Sequence, residues 1–380
     1  MKIPFNKIFF TGKEIIYISE AIKMTSVIGD GYFNNKVADF LENRLEVPKV
    51  LTTTSGTHSL ELAMLLIDIK PGDEIILPSF TFTSTANAIL LFKGRPIFVD
   101  INPATLSIES KEIEKKISEK TKAIMPVHYG GIGCEMDSIM ELAHKHNLFV
   151  IEDAAQAVGA KYLDKPLGTW GHIGCYSFHG TKNFISGEGG AISINNNNPQ
   201  LIERAEIIRQ KGTNRNKFLK GEIDKYSWVD IGSSYVPSDI LMAVLYAQLA
   251  AMDEIILKRE IIVNHYIKRL QPLIGRGSLI SMTNIPEGFK SNYHNFYIVL
   301  RDEQSRDNLI NQLKIHGIQS YIHYLPLHSS PMGRILGYSP SDLPITEQIG
   351  ATLLRLPLYT DMTIEECDFV IEKLYDILGG

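Results

Sequence analysis

Short apolar runs alternate with helical patterns between residues 50 and 195. The runs are rich in Val, Ile, Leu and Phe, as strands are, and they are Val50-Leu51, Glu74–Leu77, Ile97–Val99, Ala123–Val127, Phe149–Glu152, Cys175–Phe178 and Ala191–Ile194. Between two of them, Met136–Lys145 repeats apolar residues near the 3.6-residue period, and Asn147 follows as a stop signal. The pattern predicts an α/β fold with a mostly parallel sheet covered by helices on both faces.

The pattern changes after residue 237. A long helical stretch runs from Ser238 to about Leu273, with Pro237 and Ser238 as start signals, and it predicts a connecting helix. The elements expected after it are a strand, a helix, a second strand and closing helices, the first three at Phe296–Leu300, Gln304–Ile315 and Ile318–Ile322. We therefore predict a large domain over residues 1–260 and a small α+β domain over residues 261–380.

Composition narrows the possible functions. The 380 residues are 44% hydrophobic and 21% charged, and a net charge of -5 argues against nucleic acid as the main partner. The cysteines Cys134, Cys175 and Cys367 are too far apart to indicate a disulfide framework or a metal site. With no signal-peptide core and no apolar run of roughly 18 residues, we expect a cytoplasmic protein with no membrane partner.

Ligands of open α/β sheets bind at the carboxyl ends of the strands, so the residues that follow each strand are the candidates for chemistry. After Val50-Leu51 the sequence reads TTTSGTHS and enters a helical pattern. Backbone N–H groups at that helix start would bind a phosphate on Gly56 and Thr57. Thr54 or Ser55 could instead serve only as a helix cap.

Asp153 directly follows the run Phe149–Glu152. A carboxylate at this place can keep a pyridine nitrogen protonated, and Gln156 is close enough in sequence to reach a neighbouring ring hydroxyl. Such an acid could also cap a helix or bind a metal.

Lys182 lies between an aromatic strand and a glycine-rich turn, in the stretch CYSFHGTKNFISGEGGA. Burial there would lower the pKa of its amine and increase the fraction able to attack an aldehyde. A surface lysine in a loop is the alternative.

In chain order these are an anion site, a carboxylate and an amine, which are the groups that pyridoxal 5'-phosphate (PLP) requires. Together they predict a PLP enzyme in which Lys182 holds the cofactor as a Schiff base and Asp153 pairs with its pyridine nitrogen. Phe82, in PSFTFTST, follows another strand end and could stack on the ring, or it could be a core aromatic.

The chain resembles the DegT/DnrJ/EryC1/StrS sugar aminotransferases, a fold-type I (aspartate aminotransferase-like) family. The resemblance is carried by TSGTHSLELA, PSFTFTSTANA, PVHYGG, EDAAQAVGA, SFHGTKNFISGEGGA and YLPLH, and it spans essentially the whole chain. It implies a mostly parallel seven-stranded sheet and a PLP cofactor that becomes pyridoxamine 5'-phosphate (PMP) between the half-reactions. It also implies Lys182 as the catalytic residue, with cofactor contacts from Gly56, Thr57, Phe82, Asp153, Gln156, Ser177 and Lys182.

Members of this family work as homodimers with shared active sites, in which an Asn of a GxNxK/R motif from the partner chain completes the phosphate site. In this sequence Gly232–Val236 reads GSSYV, so Ser234 replaces that Asn and Val236 replaces the base. His328 matches a family position near the substrate sugar, although a structural histidine is an alternative. Arg215 could meet a substrate carboxylate or phosphate, or it could be a solvated arginine.

Longer segments, such as PVHYGGIGCEMDSIM and DKYSWVDIGSSY, are similar to transaminases of the family that make dTDP-4-amino-4,6-dideoxygalactose for the enterobacterial common antigen. This similarity implies glutamate as amino donor, dTDP-4-keto-6-deoxyglucose as acceptor, and a role in lipopolysaccharide or other surface polysaccharide synthesis. The gluco epimer, or another nucleotide-linked amino sugar, is an alternative product.

Three rival functions are disfavoured. Sugar dehydratases on this fold carry His where Lys182 stands. An NAD-dependent epimerase would use a pair such as Tyr32 and Lys36 in a YxxxK motif, but no GxGxxG follows an early strand. A non-catalytic PLP-binding regulator would carry a DNA-binding module, and neither end of the sequence reads as a helix-turn-helix.

Overall fold

The computed structural model describes residues 1–25 and 27–379. The strands are β1 Lys49–Thr53, β2 Glu74–Pro78, β3 Arg95–Val99, β4 Thr121–Ile124, β5 Phe149–Asp153, β6 Lys161–Tyr162, β7 Lys165–Pro166, β8 Ile173–Ser177, β9 Gly190–Ile194, β10 Ser281–Met282, β11 Phe289–Lys290, β12 Phe296–Val299 and β13 Leu353–Leu356. The helices are α1 Glu14–Lys23, α2 Tyr32–Leu45, α3 Gly56–Leu66, α4 Thr83–Leu90, α5 Ser110–Glu114, α6 Met136–His146, α7 Pro199–Arg209, α8 Arg215–Leu219, α9 Asp239–Ala250, α10 Met252–Gly275, α11 Glu303–Ile315, α12 Pro331–Ile335, α13 Pro344–Thr352 and α14 Ile364–Leu378. Short 3-10 turns form at Tyr129–Gly131 and Pro340–Asp342.

A seven-stranded sheet forms the centre of the fold, in the order β1-β9-β8-β5-β4-β2-β3. Its neighbours from β8 to β3 pair in parallel, whereas β9 is antiparallel to both β8 and β1. Every strand of the sheet but β9 therefore points the same way. The α/β fold with a mostly parallel sheet is confirmed, and the carboxyl ends of β1, β2, β5 and β8 lie at one edge.

Successive side chains of the strands enter two different hydrophobic clusters, one on each face of the sheet. Ile76 and Val150 belong to one cluster, and their neighbours Ile75 and Ile151 belong to the other. This alternation is what the two-residue period of a strand dictates when both faces are covered. Burial on both faces explains why the sheet strands appeared in the sequence as continuous apolar runs.

The helix α6 begins and ends where its pattern predicts. It spans Met136–His146, and Asn147 at its carboxyl end adopts the left-handed conformation with φ 53°. Asparagine tolerates this conformation better than most residues, so it can end a helix as glycine does.

The connecting helix predicted from Ser238 to Leu273 is wrong in one respect, because it is two helices. The helices α9 and α10 meet at Ala251 with a bend of 60°. The bend lets α9 pack against α1 and α2 while α10 packs against α14. Among the described residues no single helix has the length and apolarity to cross a membrane, and α9 with α10 meets that criterion only as a bent pair.

A second, three-stranded sheet, β10-β12-β13, lies beyond α10 and is covered by a third hydrophobic cluster. The strand predicted at Ile318–Ile322 is wrong, since this segment makes only isolated bridges, from Ile318 to Ile3 and from Tyr321 to Arg355. The domain boundary near residue 260 stays a prediction; α10 runs through that position without a break.

Candidate active site

A cavity of about 430 Å³ opens at the carboxyl edge of the large sheet. Seven of the residues singled out in the sequence line it, namely Gly56, Thr57, Phe82, Asp153, Gln156, Ser177 and Lys182. They come from four different strand ends, and the parallel sheet brings them together. Ser234, His328 and Arg215 do not line this cavity within the chain.

The amino end of α3 forms one wall. Ser55 is the helix cap, as one sequence interpretation allowed, because its Oγ accepts the N–H of His58 at 3.1 Å. The N–H groups of Gly56 and Thr57 are in the first turn and have no intrahelical acceptor. A Cβ on Gly56 would lie 2.7 Å from the Cβ of Ser177, so only glycine lets α3 begin this close to the end of β8. Backbone N–H groups and the Ser177 hydroxyl thus border the same corner, which suits an anion.

Asp153 is the last residue of β5 and is 5% exposed. Its Oδ2 accepts the hydroxyl hydrogen of Thr85 at 2.8 Å, and its Oδ1 accepts the N–H of Ala155 at 3.2 Å. These bonds fix the carboxylate in one orientation at the cavity wall. A buried carboxylate with remaining acceptor capacity is suited to a protonated ring nitrogen.

Lys182 follows β8 in a loop and is partly buried. The pKa of its amine is lowered from 10.5 to about 8, because burial lowers it most, the charge of Asp153 opposes this effect, and the charge of Arg355 adds to it. With that pKa, roughly a tenth of the amine is neutral at pH 7, against less than a thousandth for an ordinary lysine. The side chain is therefore prepared to act as a nucleophile and as a base.

Asn183, the residue after Lys182, connects this loop to the segment around Asn292 by hydrogen bonds. Asn183 Nδ2 donates to the carbonyl of Asn292 at 2.7 Å, which turns its Oδ1 towards Nδ1 of His294 at 2.9 Å. Nδ1 of His294 must then carry the proton. Burial and the charges of Lys182, Arg259 and Arg355 hold the pKa of His294 well below 6.5, so the ring stays neutral.

The side chain of Gln156 is held by hydrogen bonds to two other segments of the chain. Its Oε1 accepts the N–H of Gly130 at 2.8 Å, and its Nε2 donates to the hydroxyl of Tyr324 at 2.6 Å. Phe82 is 58% exposed, and its ring centroid is 6.5 Å from that of Tyr324. Phe82 is therefore not a core aromatic, and its ring is free to cover a planar ligand.

The remaining sequence candidates lie elsewhere. His328 is fully buried and makes two hydrogen bonds with Ser79. Its backbone N–H donates to Ser79 Oγ at 2.9 Å, and its ring Nδ1 lies 2.7 Å from the same oxygen. This placement favours the structural alternative for His328. Arg215 begins the short helix α8, and Ser234 is exposed in a bridge to Gln210.

The pair considered for NAD chemistry is also remote. Tyr32 begins α2, and the Nζ of Lys36 lies 5.5 Å from its ring centroid. Neither side chain lines the cavity.

Several lining residues gave no signal in the sequence, namely Thr85, Arg259, His294, His323, Tyr324 and Arg355. Arg259 donates from Nε and Nη2 to the carbonyls of Tyr293 and His294, and burial lowers its pKa to about 9. Burial, together with Arg355, His294 and Lys182, also holds the pKa of His323 well below 6.5. The cavity thus combines cations and neutral imidazoles with few acids.

These residues fit PLP by the chemistry of the groups present. The start of α3 and Ser177 would hold the phosphate, Asp153 the pyridine nitrogen and Lys182 the aldehyde carbon. Bound there, the cofactor would supply a ring that withdraws electrons from the carbon bearing the amine. Lys182, Asp153 and the amino end of α3 are already placed in the chain by the contacts described above.

Comparison with known proteins identifies the family of the chain and supports PLP as its cofactor. The profile of the DegT/DnrJ/EryC1/StrS aminotransferase family matches residues 11–375. GDP-perosamine synthases of Caulobacter vibrioides and Escherichia coli O157:H7 are 33% and 32% identical, over 97% and 98% of this chain and 96% and 97% of theirs.

Spr1654 of Streptococcus pneumoniae, described as a sugar aminotransferase, has a similar structure in both cofactor forms. Its PMP form superposes with a TM-score of 0.92 at 26% identity, covering 100% of this chain and 98% of that one. Its PLP form gives 0.91 at 25% identity, covering 100% and 99%. The predicted enzyme class, cofactor and fold are therefore confirmed: this protein is a PLP-dependent sugar aminotransferase, and it belongs to the DegT/DnrJ/EryC1/StrS aminotransferase family.

Proposed function

We propose that the enzyme moves the amino group of glutamate to C4 of a dTDP-linked 4-keto-6-deoxyhexose and so makes dTDP-4-amino-4,6-dideoxygalactose for a surface polysaccharide. The observation that carries the chemistry is the position of Lys182, an amine with a pKa of about 8 in one cavity with Asp153. The choice of dTDP and of C4 rests on the long sequence segments shared with transaminases of that specificity.

Lys182 would serve both halves of the reaction. Its neutral amine takes the proton from Cα of glutamate in the first half and returns a proton to C4 of the sugar in the second. Asp153 would hold the ring nitrogen of the cofactor in both halves, while Thr85 keeps that carboxylate in place. The same residues suffice for both directions because the second half reverses the first.

A GDP-linked keto sugar is the second candidate acceptor. The relatives of Caulobacter vibrioides and Escherichia coli O157:H7 are named GDP-perosamine synthases and align over nearly all of this chain. Which base is accepted depends on residues at the mouth of the cavity, where the nucleotide would lie. The gluco epimer at C4 is a third outcome, since it depends on which face of the sugar meets the cofactor.

The test offers both nucleotides to the purified holoenzyme with glutamate. We expect dTDP-4-keto-6-deoxyglucose to be aminated faster than GDP-4-keto-6-deoxymannose, with an axial amine assigned from proton coupling constants. Faster turnover of the GDP sugar would overturn the choice of nucleotide. An equatorial amine would overturn the galacto product, and absence of any amino sugar would overturn the acceptor class.

A separate experiment tests the attachment point. Borohydride reduction of the holoenzyme followed by peptide mapping should label the peptide containing Lys182, and a Lys182→Ala variant should not be labelled. Label on another peptide of the wild-type protein would refute the assignment of this amine.

We further propose a homodimer in which Ser234 of each chain reaches the phosphate site of the other. Ser234 lies in an exposed stretch with large apolar neighbours, Trp228 (80% exposed) and Ile231 (57% exposed). Apolar groups this exposed commonly mark an interface. Sedimentation should show a dimer, and Ser234→Asp should weaken PLP binding because its charge would face the phosphate; a monomer, or unchanged PLP affinity, would contradict the shared site.

A further inference from the structure

Two histidines of the cavity wall, His294 and His323, differ in which ring nitrogen carries the proton. Both side chains line the cavity, and neither is fully buried. Nδ1 of His294 donates to Asn183 Oδ1 at 2.9 Å, so Nε2 of that ring holds a lone pair. Within residues 1–25 and 27–379 this Nε2 has no hydrogen-bond partner, and the atom is not fully buried. His294 therefore offers the cavity an acceptor.

His323 has the opposite arrangement. The hydroxyl of Tyr129 lies 3.1 Å from Nδ1 of His323, and burial raises the pKa of Tyr129 well above its ordinary value, so the phenol keeps its hydrogen. That hydrogen has no other acceptor in the described part of the chain, and Tyr129 therefore donates it to Nδ1. A neutral imidazole that accepts at Nδ1 carries its own proton at Nε2. His323 therefore offers the cavity a donor.

Both rings stay neutral because their surroundings are apolar and cationic. Burial and the charges of Lys182, Arg259 and Arg355 hold the pKa of His294 well below 6.5. Burial, together with Arg355, His294 and Lys182, does the same for the pKa of His323. Such electrostatic effects weaken with distance, so the influence of Lys182 on both rings places them in one region with the reacting amine.

A hydroxyl group satisfies both Nε2 atoms, whereas a charged group satisfies one of them. A carboxylate or a phosphate can accept from His323 but has no hydrogen for His294, and an ammonium group has the reverse limitation. A hydroxyl both donates and accepts. Of the two carbons beside C4 in a 4-keto-6-deoxyhexose, C3 carries a hydroxyl and C5 carries a methyl group. The pair therefore matches the hydroxyl next to the reacting carbon.

We propose that His294 and His323 bind the C3 hydroxyl of the acceptor sugar and so select sugars that carry it. Asn183 and Tyr129 are then positioning residues, since they fix the two tautomers. The inference rests on the acceptor being a 4-keto-6-deoxyhexose, as proposed above. A 3-deoxy sugar would leave both imidazoles unpaired, so the enzyme should convert it about 10- to 100-fold less efficiently.

The first test determines the tautomers without any substrate. In protein whose histidines carry a heavy nitrogen isotope, long-range proton–nitrogen NMR correlations show which ring nitrogen bears hydrogen, and His294→Phe and His323→Phe assign the signals. We expect hydrogen on Nδ1 of His294 and on Nε2 of His323. In Tyr129→Phe, His323 should lose its fixed tautomer. The same tautomer in both rings of the wild-type protein would overturn the inference.

The second test measures sugar preference in single turnovers of the PMP form. The substrates are dTDP-4-keto-6-deoxyglucose, GDP-4-keto-6-deoxymannose and the 3-deoxy analogue of each. In His294→Phe and in His323→Phe the preference for the hydroxyl-bearing sugar should fall by about 3- to 10-fold, because this sugar alone uses the removed partner. His294→Gln and His323→Gln keep a polar amide and should restore part of it. His316→Phe is the matched control, because His316 is exposed and does not line the cavity.

The outcomes separate this inference from the proposed function. An unchanged preference in both Phe variants would overturn the inference, and so would a raised KM for glutamate with an unchanged sugar preference, which would assign the pair to the amino donor. Conversion of a keto sugar by the wild-type enzyme without preference for the hydroxyl would refute the inference alone. Conversion of neither keto sugar would refute the proposed acceptor and the inference with it. Because the readout is a ratio for two sugars on one protein, partial loss of folding or of cofactor affects both sugars equally.

Discussion

The hydroxyl of Thr85 donates its only hydrogen to Oδ2 of Asp153, so the 2.8 Å bond between Thr81 and Thr85 must have Thr81 as its donor. All three residues are at most 5% exposed. This chain of hydrogen bonds connects the start of α4 to the end of β5 and sets the direction of the carboxylate. Charged acceptors hold such bonds more strongly than neutral ones do.

Replacing Thr85 by Val should therefore weaken cofactor binding. The isosteric side chain removes a bond to a charged group worth about 1.5–3 kcal/mol and leaves Asp153 less well oriented. We expect PLP to dissociate at least tenfold more readily, measured by absorbance titration. Thr85→Ser keeps the hydroxyl and is the control; equal affinities for Val and wild type would contradict the role of this bond.

Replacing Gly56 by Ala should displace the backbone N–H groups at the start of α3 from the Ser177 hydroxyl. The new Cβ would lie 2.7 Å from the Cβ of Ser177, and overpacking of this kind costs about 1–3 kcal/mol. The shift falls on the N–H groups at the start of α3, so we expect both PLP and inorganic phosphate to bind more weakly. Gly275→Ala is the matched control, because a Cβ at Gly275 has no heavy atom within 4 Å. Unaltered phosphate binding in Gly56→Ala would place the anion elsewhere.

Lys182 should make the cofactor-free enzyme less stable at neutral pH. Its pKa is about 8 in the folded chain and 10.5 when unfolded, so the unfolded state binds more protons between these values. The resulting destabilisation of the folded protein is fully present below pH 8 and is lost as the pH rises to 10.5. Lys182→Met should raise the free energy of unfolding at pH 7 by at most about 3 kcal/mol, with a gain that shrinks towards pH 10.5.

Urea denaturation of the cofactor-free proteins at pH 7 and pH 10 would measure this difference. Lys116→Met, at an exposed position, should change stability little at either pH. A gain that is equal at both pH values would show that side-chain packing, and not the charge, is responsible.

Replacing Glu152 should lower the free energy of unfolding strongly. It is fully buried, and its two oxygens accept from His128 Nε2 at 2.8 Å, Gly168 N–H at 2.7 Å and Gly171 N–H at 2.6 Å. In Glu152→Gln an NH₂ group would face one of these donors, so we expect a loss of about 3–5 kcal/mol in the free energy of unfolding. Glu114→Gln changes a surface carboxylate whose side chain is 51% exposed, so it should change the stability little in the same urea titration. Similar losses in both variants would refute the network.

The central sheet could be predicted from the sequence because its strands are buried on both faces, which leaves continuous apolar runs. The bend at Ala251 could not, since no Pro or Gly lies at the break and the apolar pattern continues through it. The predicted strand at Ile318–Ile322 failed because apolar residues there contact the core without a partner strand. The strand β13 was missed because it directly follows α13 within one apolar stretch.

The site, too, contains residues that a local sequence pattern predicts and residues that only the tertiary fold reveals. Asp153 ends β5 and Lys182 lies in the loop after β8, so a rule about strand ends finds both residues. Arg355 and His294 come from segments more than 100 residues beyond Lys182, and only the tertiary fold brings them to the cavity. Sequence pattern also does not separate a structural histidine from one that binds a ligand, and His328 accordingly matched a family position while its ring contacts Ser79.

The contact between Phe5 and Arg355 joins regions 350 positions apart in the polypeptide. Ile3 exchanges backbone hydrogen bonds with Gly317 and Gln319, and the N–H of Leu358 donates to the carbonyl of Phe5. During synthesis, residues 3–6 can therefore form these contacts only after nearly the whole protein has left the ribosome. The part of the cavity wall formed by Phe5 and Asn6 would then be completed after the part formed by Asp153 and Lys182, so an amino-terminal fusion would disturb the first part without the second.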